Sequence, residues 1–267
     1  MKSKELHIMS VGVSMLSNYF RKNNLGNPRF GDVEFWKEKE SDKEFFEDLY
    51  RMVKENPKEM SAELNSFLRM VEGKAPENIV VYLVGTDTPS GRISLRVLER
   101  FFDEHGYGKL GSHKTVHGYF EEREFPEDRV EAFKRGLAEL MNRLLELVLE
   151  HSTDYEIYFN PTGGFKAHVI VLSNAATLTS SRIYYIHEEF KDLIVFPPLF
   201  YLPDEEEREF LRALQEKEIL SGEEVGDNYR DIIDRLESYN VIVVERKDGR
   251  VIRVKLSGLG KFLTKNM

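Results

Sequence analysis

The residues able to do chemistry fall in three short loops, each set between an apolar run and a helical pattern. The richest is Asn160-Pro161-Thr162-Gly163-Gly164, which follows the β-branched and aromatic run 155–159 and precedes an apolar, small-residue stretch at 165–177. A strand, a Gly-rich turn and a helix make the half-unit that holds phosphate in α/β folds. Glycines let backbone N–H groups approach an anion, and the helix N-terminus adds partial positive charge. Lys166 lies in the first helical turn, where a cation opposes the helix dipole unless something negative is bound. The spacing is neither G-x-x-x-x-G-K-[ST] nor G-x-G-x-x-G. The bland reading is a Gly-Gly loop with a surface lysine.

Two further junctions have the same build. Residues 6–13 read as a strand and run into Gly12-Val13-Ser14 and a periodic helix at 15–22. That junction offers N–H groups and a hydroxyl, although Ser14 could equally be a simple N-cap. After a second strand at 78–84 comes Gly85-Thr86-Asp87-Thr88-Pro89-Ser90-Gly91, ahead of a helix at 92–105. Thr86, Asp87 and Thr88 could cap that helix or grip a ribose or base edge.

Other candidates carry less. Arg100 and His105 match an R-x4-H ribonuclease spacing, but that chemistry needs an all-helical dimer. His105, His113 and His117 lack a carboxylate-rich partner at metal spacing, and a core or solvated role suits them better. His187-Glu188-Glu189 more simply ends a strand, and Ser14 is not in a G-x-S-x-G elbow.

The elements that must position these loops alternate between strand and helix. Besides those named, a short strand is expected at 115–121, a long amphipathic helix at 127–150 and strands at 182–187 and 193–196, before Pro197-Pro198 breaks the pattern. Such alternation requires parallel pairing with right-handed crossovers, hence an α/β, doubly wound, mostly parallel sheet over residues 1–200. Ligand then binds outside the strand C-termini, where all three loops open. Residues 23–58 are charged and irregular apart from a helical patch at 43–53, and read as an insertion or surface flap packed down by Trp36. From 204 to 267, three helices, a hairpin turning at Lys247-Asp248-Gly249-Arg250 and a closing helical turn spell a winged helix. That segment carries 12 Lys/Arg against 15 Asp/Glu, so dimerisation or lid duty suits it better than DNA reading.

Composition narrows the partners. At 267 residues and 41% hydrophobic the chain can build a proper core, and its net charge of −9 disfavours nucleic-acid coating and anionic membranes. An anionic ligand therefore needs a local site. There are no cysteines, which excludes disulfides and thiolate metal sites and suits a reducing compartment. No signal peptide or run of 18 apolar residues is present, so the expectation is a soluble cytoplasmic protein without a membrane partner.

The three loops together resemble those of the CARF proteins, the CRISPR-associated Rossmann folds. Val11-Gly12-Val13-Ser14-Met15-Leu16 is similar to their T-V-G-T-S-L-L opening, with Val13 where Thr is usual. Asn160-Pro161-Thr162-Gly163-Gly164-Phe165-Lys166 resembles their N-x-T-G-G-F-K signature, and Thr86 to Gly91 the T-D-T-x-x-G segment of the branch containing stand-alone ring nucleases. The likeness spans roughly residues 6–200, and the tail resembles the winged helix many of these proteins append. It implies a homodimer that binds a cyclic oligoadenylate, usually the tetramer, across its two-fold axis. It further implies metal-free, cofactor-free cleavage to linear di-adenylate with a 2′,3′-cyclic phosphate, which terminates type III CRISPR signalling. By position, Ser14 would orient the attacking 2′-OH and Lys166 would neutralise the phosphorane. Gly163 and Gly164 would donate N–H groups, while Asn160, Thr162, Asp87 and Thr88 would hold ribose or base. Gly12, Val13, Met15, Thr86 and Phe165 would line the ligand. The competing readings are a CARF transcription regulator that senses without cutting, and a ligand-activated effector nuclease, which would need a second catalytic domain.

Overall fold

Residues 4–110, 126–164, 166–186, 192–196, 202–225 and 229–265 are described by a computed structural model, in which the chain divides into two units, Met1–Val195 and Phe196–Met267. In the first, β1 (Lys4–Ser10) leads into α1 (Ser14–Lys22), followed by α2 (Val33–Ser41), α3 (Lys43–Glu55), α4 (Pro57–Met60), α5 (Ala62–Met70) and β2 (Ile79–Val84). Then come α6 (Pro89–Glu104), β3 (Gly108–Lys109), α7 (Pro126–His151), β4 (Tyr155–Asn160), α8 (Lys166–Leu178), β5 (Arg182–Ile186) and β6 (Leu193–Phe196).

Ile-Val-Val-Tyr-Leu-Val in β2 is nearly all apolar because a central parallel strand is covered on both faces. The strand order is β3-β2-β1-β4-β5-β6, with β1/β2, β1/β4, β2/β3 and β4/β5 all parallel. Chain direction of winding reverses between β1 and β4, which is the switch point of a doubly wound sheet. The expected α/β class and mostly parallel sheet therefore hold.

Residues 23–58 differ from expectation. The segment is largely helical, with Asp32 and Asp42 capping α2 and α3 through the Phe35 and Phe45 amides at 3.1 and 3.0 Å. Their apolar faces join the core that includes Met9 of β1 and Val11 just after it. The charged residues that made the stretch look irregular lie on the opposite, solvated faces. Trp36 is fully buried, so it packs this segment down as expected. β3 and the strand at 219–221 are too short for a periodicity to register. The strand expected at 115–121, with His113 and His117, lies outside the described residues, as do His187-Glu188-Glu189 and Pro197-Pro198.

The second unit contains α9 (Glu205–Lys217), β7 (Ile219–Ser221), α10 (Gly222–Val225), α11 (Arg230–Ser238), β8 (Ile242–Lys247), β9 (Arg250–Leu256) and α12 (Gly258–Lys265). Asp204 and Glu207 form a reciprocal capping box at the start of α9. β7, β9 and β8 make an antiparallel sheet over a separate core that includes Leu211, Leu214, Leu236 and Val254. The hairpin turns through Asp248 and Gly249, both at positive φ (52° and 76°), as its tight turn requires. Arg246 beside that turn is ion-paired with Asp234 and Glu237 of α11, at 3.0 and 2.6 Å.

Candidate functional site at the C-terminal rim of the sheet

β2, β1 and β4 are adjacent and parallel, so the loops that follow them open on one edge of the sheet. The β1 and β2 ends are stitched together by the Val11 N–H, which donates to Val84 O at 2.8 Å. The β1 and β4 loops are closer still. A Cβ on Gly12 would overlap the backbone nitrogen of Gly164, and Gly164 itself sits at φ +92°. Both positions thus require glycine, for different reasons: one for space, the other for backbone conformation. Gly12→Ala should cost about 1–3 kcal/mol by overpacking, read as a shift of the denaturant midpoint at constant slope, because backbone cannot move aside as a side-chain tip can.

Sequence reasoning missed what lies beneath this contact. Glu63, in the first turn of α5, is fully buried between the loops. Its Oε1 accepts the Gly12 N–H at 2.7 Å, and its Oε2 accepts the hydroxyls of Ser14 at 3.1 Å and Ser61 at 2.7 Å. Ser61 also caps α5 by accepting the Leu64 N–H at 3.2 Å. A Cβ on Gly163 would collide with the Glu63 carboxylate, which accounts for the first glycine of the pair. Thus the Gly12 N–H, expected to be available to a ligand, is bound by the protein's own carboxylate.

Ser14 is not the N-cap of α1. Val13 holds that position without a side-chain bond, and Ser14 is the first helical residue. Its Oγ donates to Glu63 and accepts the Ala62 N–H at 3.1 Å, while the side chain stays partly exposed. Met15 has its side chain wholly in the core, leaving only backbone near the rim.

Asn160 ends β4 fully buried. Its Nδ2 donates to Ser66 Oγ at 2.8 Å, and its Oδ1 accepts the Thr162 hydroxyl at 2.5 Å and the Thr162 N–H at 3.3 Å. It shapes the turn from below, as Ser10 does by donating to Gly163 O at 2.5 Å. Under them lies His7, whose two ring nitrogens are 3.0 Å from the Tyr184 hydroxyl and 3.1 Å from Glu5. Burial lowers the His7 pKa and raises that of Tyr184, so both are neutral props of the loop floor.

In the β2 loop, Thr88 caps α6 by accepting the Gly91 N–H at 3.1 Å, with Pro89 at the favoured first helical position. Thr86 is buried against it, with the two hydroxyls 2.8 Å apart, while Asp87 is partly exposed. α6 begins at Pro89, earlier than expected. Arg92 holds this loop from behind: its guanidinium forms a two-point pair with Glu40 of α2, 2.7 Å at each contact, and donates to the Asp87 carbonyl.

Lys166 opens α8 directly after the glycine turn; it is exposed and makes no ion pair among the described residues. Phe165 lies outside the described residues. Among the described residues no three His, Asp or Glu side chains converge as metal ligands would, and no helix is long and apolar enough to cross a membrane.

The fold defines an α/β protein of the doubly wound class, with three polar loops along the rim at its switch point. Residues 58–199, just over half the chain, match the family model described as CRISPR-associated protein (Cas_APE2256). The chain belongs to that CRISPR-associated family, of the CARF type. The matched segment contains Glu63, the β2 and β4 loops and Lys166. Among solved structures, Can2 from Sulfobacillus thermosulfidooxidans, in complex with cyclic tetra-adenylate, is 10% identical with a TM-score of 0.34. The alignment covers 99% of this chain and 62% of that one, and a likeness of that size carries no weight for fold or ligand.

Proposed function

We propose that this protein is a ring nuclease. It binds cyclic tetra-adenylate across a homodimer axis and cleaves it without metal to linear di-adenylate bearing a 2′,3′-cyclic phosphate. The observation that carries the reading is the meeting of three polar loops at one switch-point rim, with Lys166 opening the helix behind the glycine turn. A cyclic ligand of even order presents two equivalent halves to two equivalent rims, which suits an isologous dimer. Holding the 2′-OH in line with phosphorus and the leaving 5′ oxygen supplies much of the rate. The Lys166 ammonium and loop N–H groups stabilise charge on the phosphorane. Ser14 touches the 2′-OH. Gly163 and Gly164 bound the phosphate, Asp87 and Thr162 reach ribose or base, and Asn160, Thr86 and Thr88 hold the loops in shape. The C-terminal unit acts as a winged helix in dimerisation or as a lid. Its Arg246, paired with two acids of α11, is poorly placed to neutralise DNA phosphates.

The test is incubation of the full chain with cyclic tetra-adenylate in EDTA, with products separated by chromatography. Linear di-adenylate with a cyclic phosphate end is expected. An intact ring after prolonged incubation at enzyme excess would overturn the proposal, and a promoter fragment shifted by the ligand would favour a sensor instead.

A further inference from the structure

Glu63 is a fully buried carboxylate with no cationic partner among the described residues, held by one N–H and two hydroxyls. A residue needed only to brace the loops could be a neutral amide. The two hydroxyls on Glu63 Oε2, one of them from a partly exposed rim serine, suggest a use beyond bracing. Ser14 Oγ gives its proton to Glu63 and takes the Ala62 N–H, so the hydroxyl rotor is fixed and one lone pair remains. Ser14 itself is partly exposed at the rim.

Resting on the ring-nuclease reading, we infer that Glu63 is the positioning residue of the attack: it acts through Ser14, turning that hydroxyl into an acceptor for the ribose 2′-OH and receiving the displaced proton. As O2′ attacks phosphorus, its proton passes to Ser14 Oγ while the Ser14 proton passes to Glu63 Oε2. The O2′–P bond forms, the P–O5′ bond breaks, and the departing oxygen takes a proton from water at the open rim. The proton on Glu63 returns to solvent through Ser14 once product has left.

The experiment compares single-turnover cleavage of cyclic tetra-adenylate by wild type, Glu63→Gln, Ser14→Ala and the double variant, with ring affinity measured in parallel. Glu63→Gln should lower the rate by about 10²-fold or more, the low end of the scale for a positioned proton acceptor, with affinity nearly unchanged. In the Ser14→Ala background the same change should alter the rate by no more than about twofold, since residues acting as one unit are not additive. Equal losses in both backgrounds, or none in either, would overturn the inference while leaving the ring-nuclease reading intact. A wild-type protein that leaves the ring whole removes the reading itself, and the inference with it. Should Glu63→Gln not fold, a proton inventory on wild type in mixed H2O and D2O decides the matter. A bowed plot from two protons in flight is expected, and a straight one overturns the relay.

Discussion

Replacing Lys166 with alanine is expected to lower cleavage of cyclic tetra-adenylate by about 10²- to 10³-fold, the cost of losing one donor aimed at developing charge. The fold should survive, because the side chain is exposed and forms no ion pair among the described residues. Stability should even rise, by about 0.3–1 kcal/mol, because a cation in the first turn of α8 opposes the helix dipole. Opposite signs for rate and stability distinguish a residue kept for its ligand from one kept for the scaffold. Lys166→Arg keeps the charge but changes its shape, so it should recover part of the rate. A turnover rate unchanged in Lys166→Ala would take this residue out of the chemistry.

The second large effect is on stability. Trp36→Ala should cost about 3–5 kcal/mol, a substantial share of the 5–15 kcal/mol typical of a folded domain, roughly stated. Trp36 has no exposed surface; its ring stacks on Phe30 at 5.3 Å and meets Phe20 and Phe35 edge-on. Its indole N–H donates to Arg29 O at 3.1 Å, closing the loop ahead of α2. Trp36→Phe should lose much less, because it retains most of the apolar contact and gives up the hydrogen bond. Urea titration of both variants checks the order, and a near-silent Trp36→Ala would mean that the helices after α1 are not anchored through it.

The sheet was largely legible in the sequence because β1, β2, β4 and β5 are short apolar runs bounded by turn residues, which is the signature of strands covered on both faces. The glycine-bearing loops were legible too, since Gly12, Gly163 and Gly164 have no other business at strand ends. Glu63 was not. An acid in the first turn of a capped helix is what any helix dipole favours, so its type carried no local signal. Its burial arises only when the crossover between β1 and β2 brings α5 over β4 and β5. The one hint was indirect: paired glycines imply that something approaches closely, without saying what. Residues 23–58 were misjudged for a related reason, because their apolar positions are sparse and their heavy charge masks a helical stripe that only the core reveals.

The two-point grip between Glu40 and Arg92 gives helices remote from the rim a lever on it. Glu40 lies on α2, yet through the guanidinium it bears on where the Asp87 carbonyl stands. Ligand preference can therefore drift through substitutions in α2 that leave every rim residue in place, much as a tuning peg alters a string it does not sound.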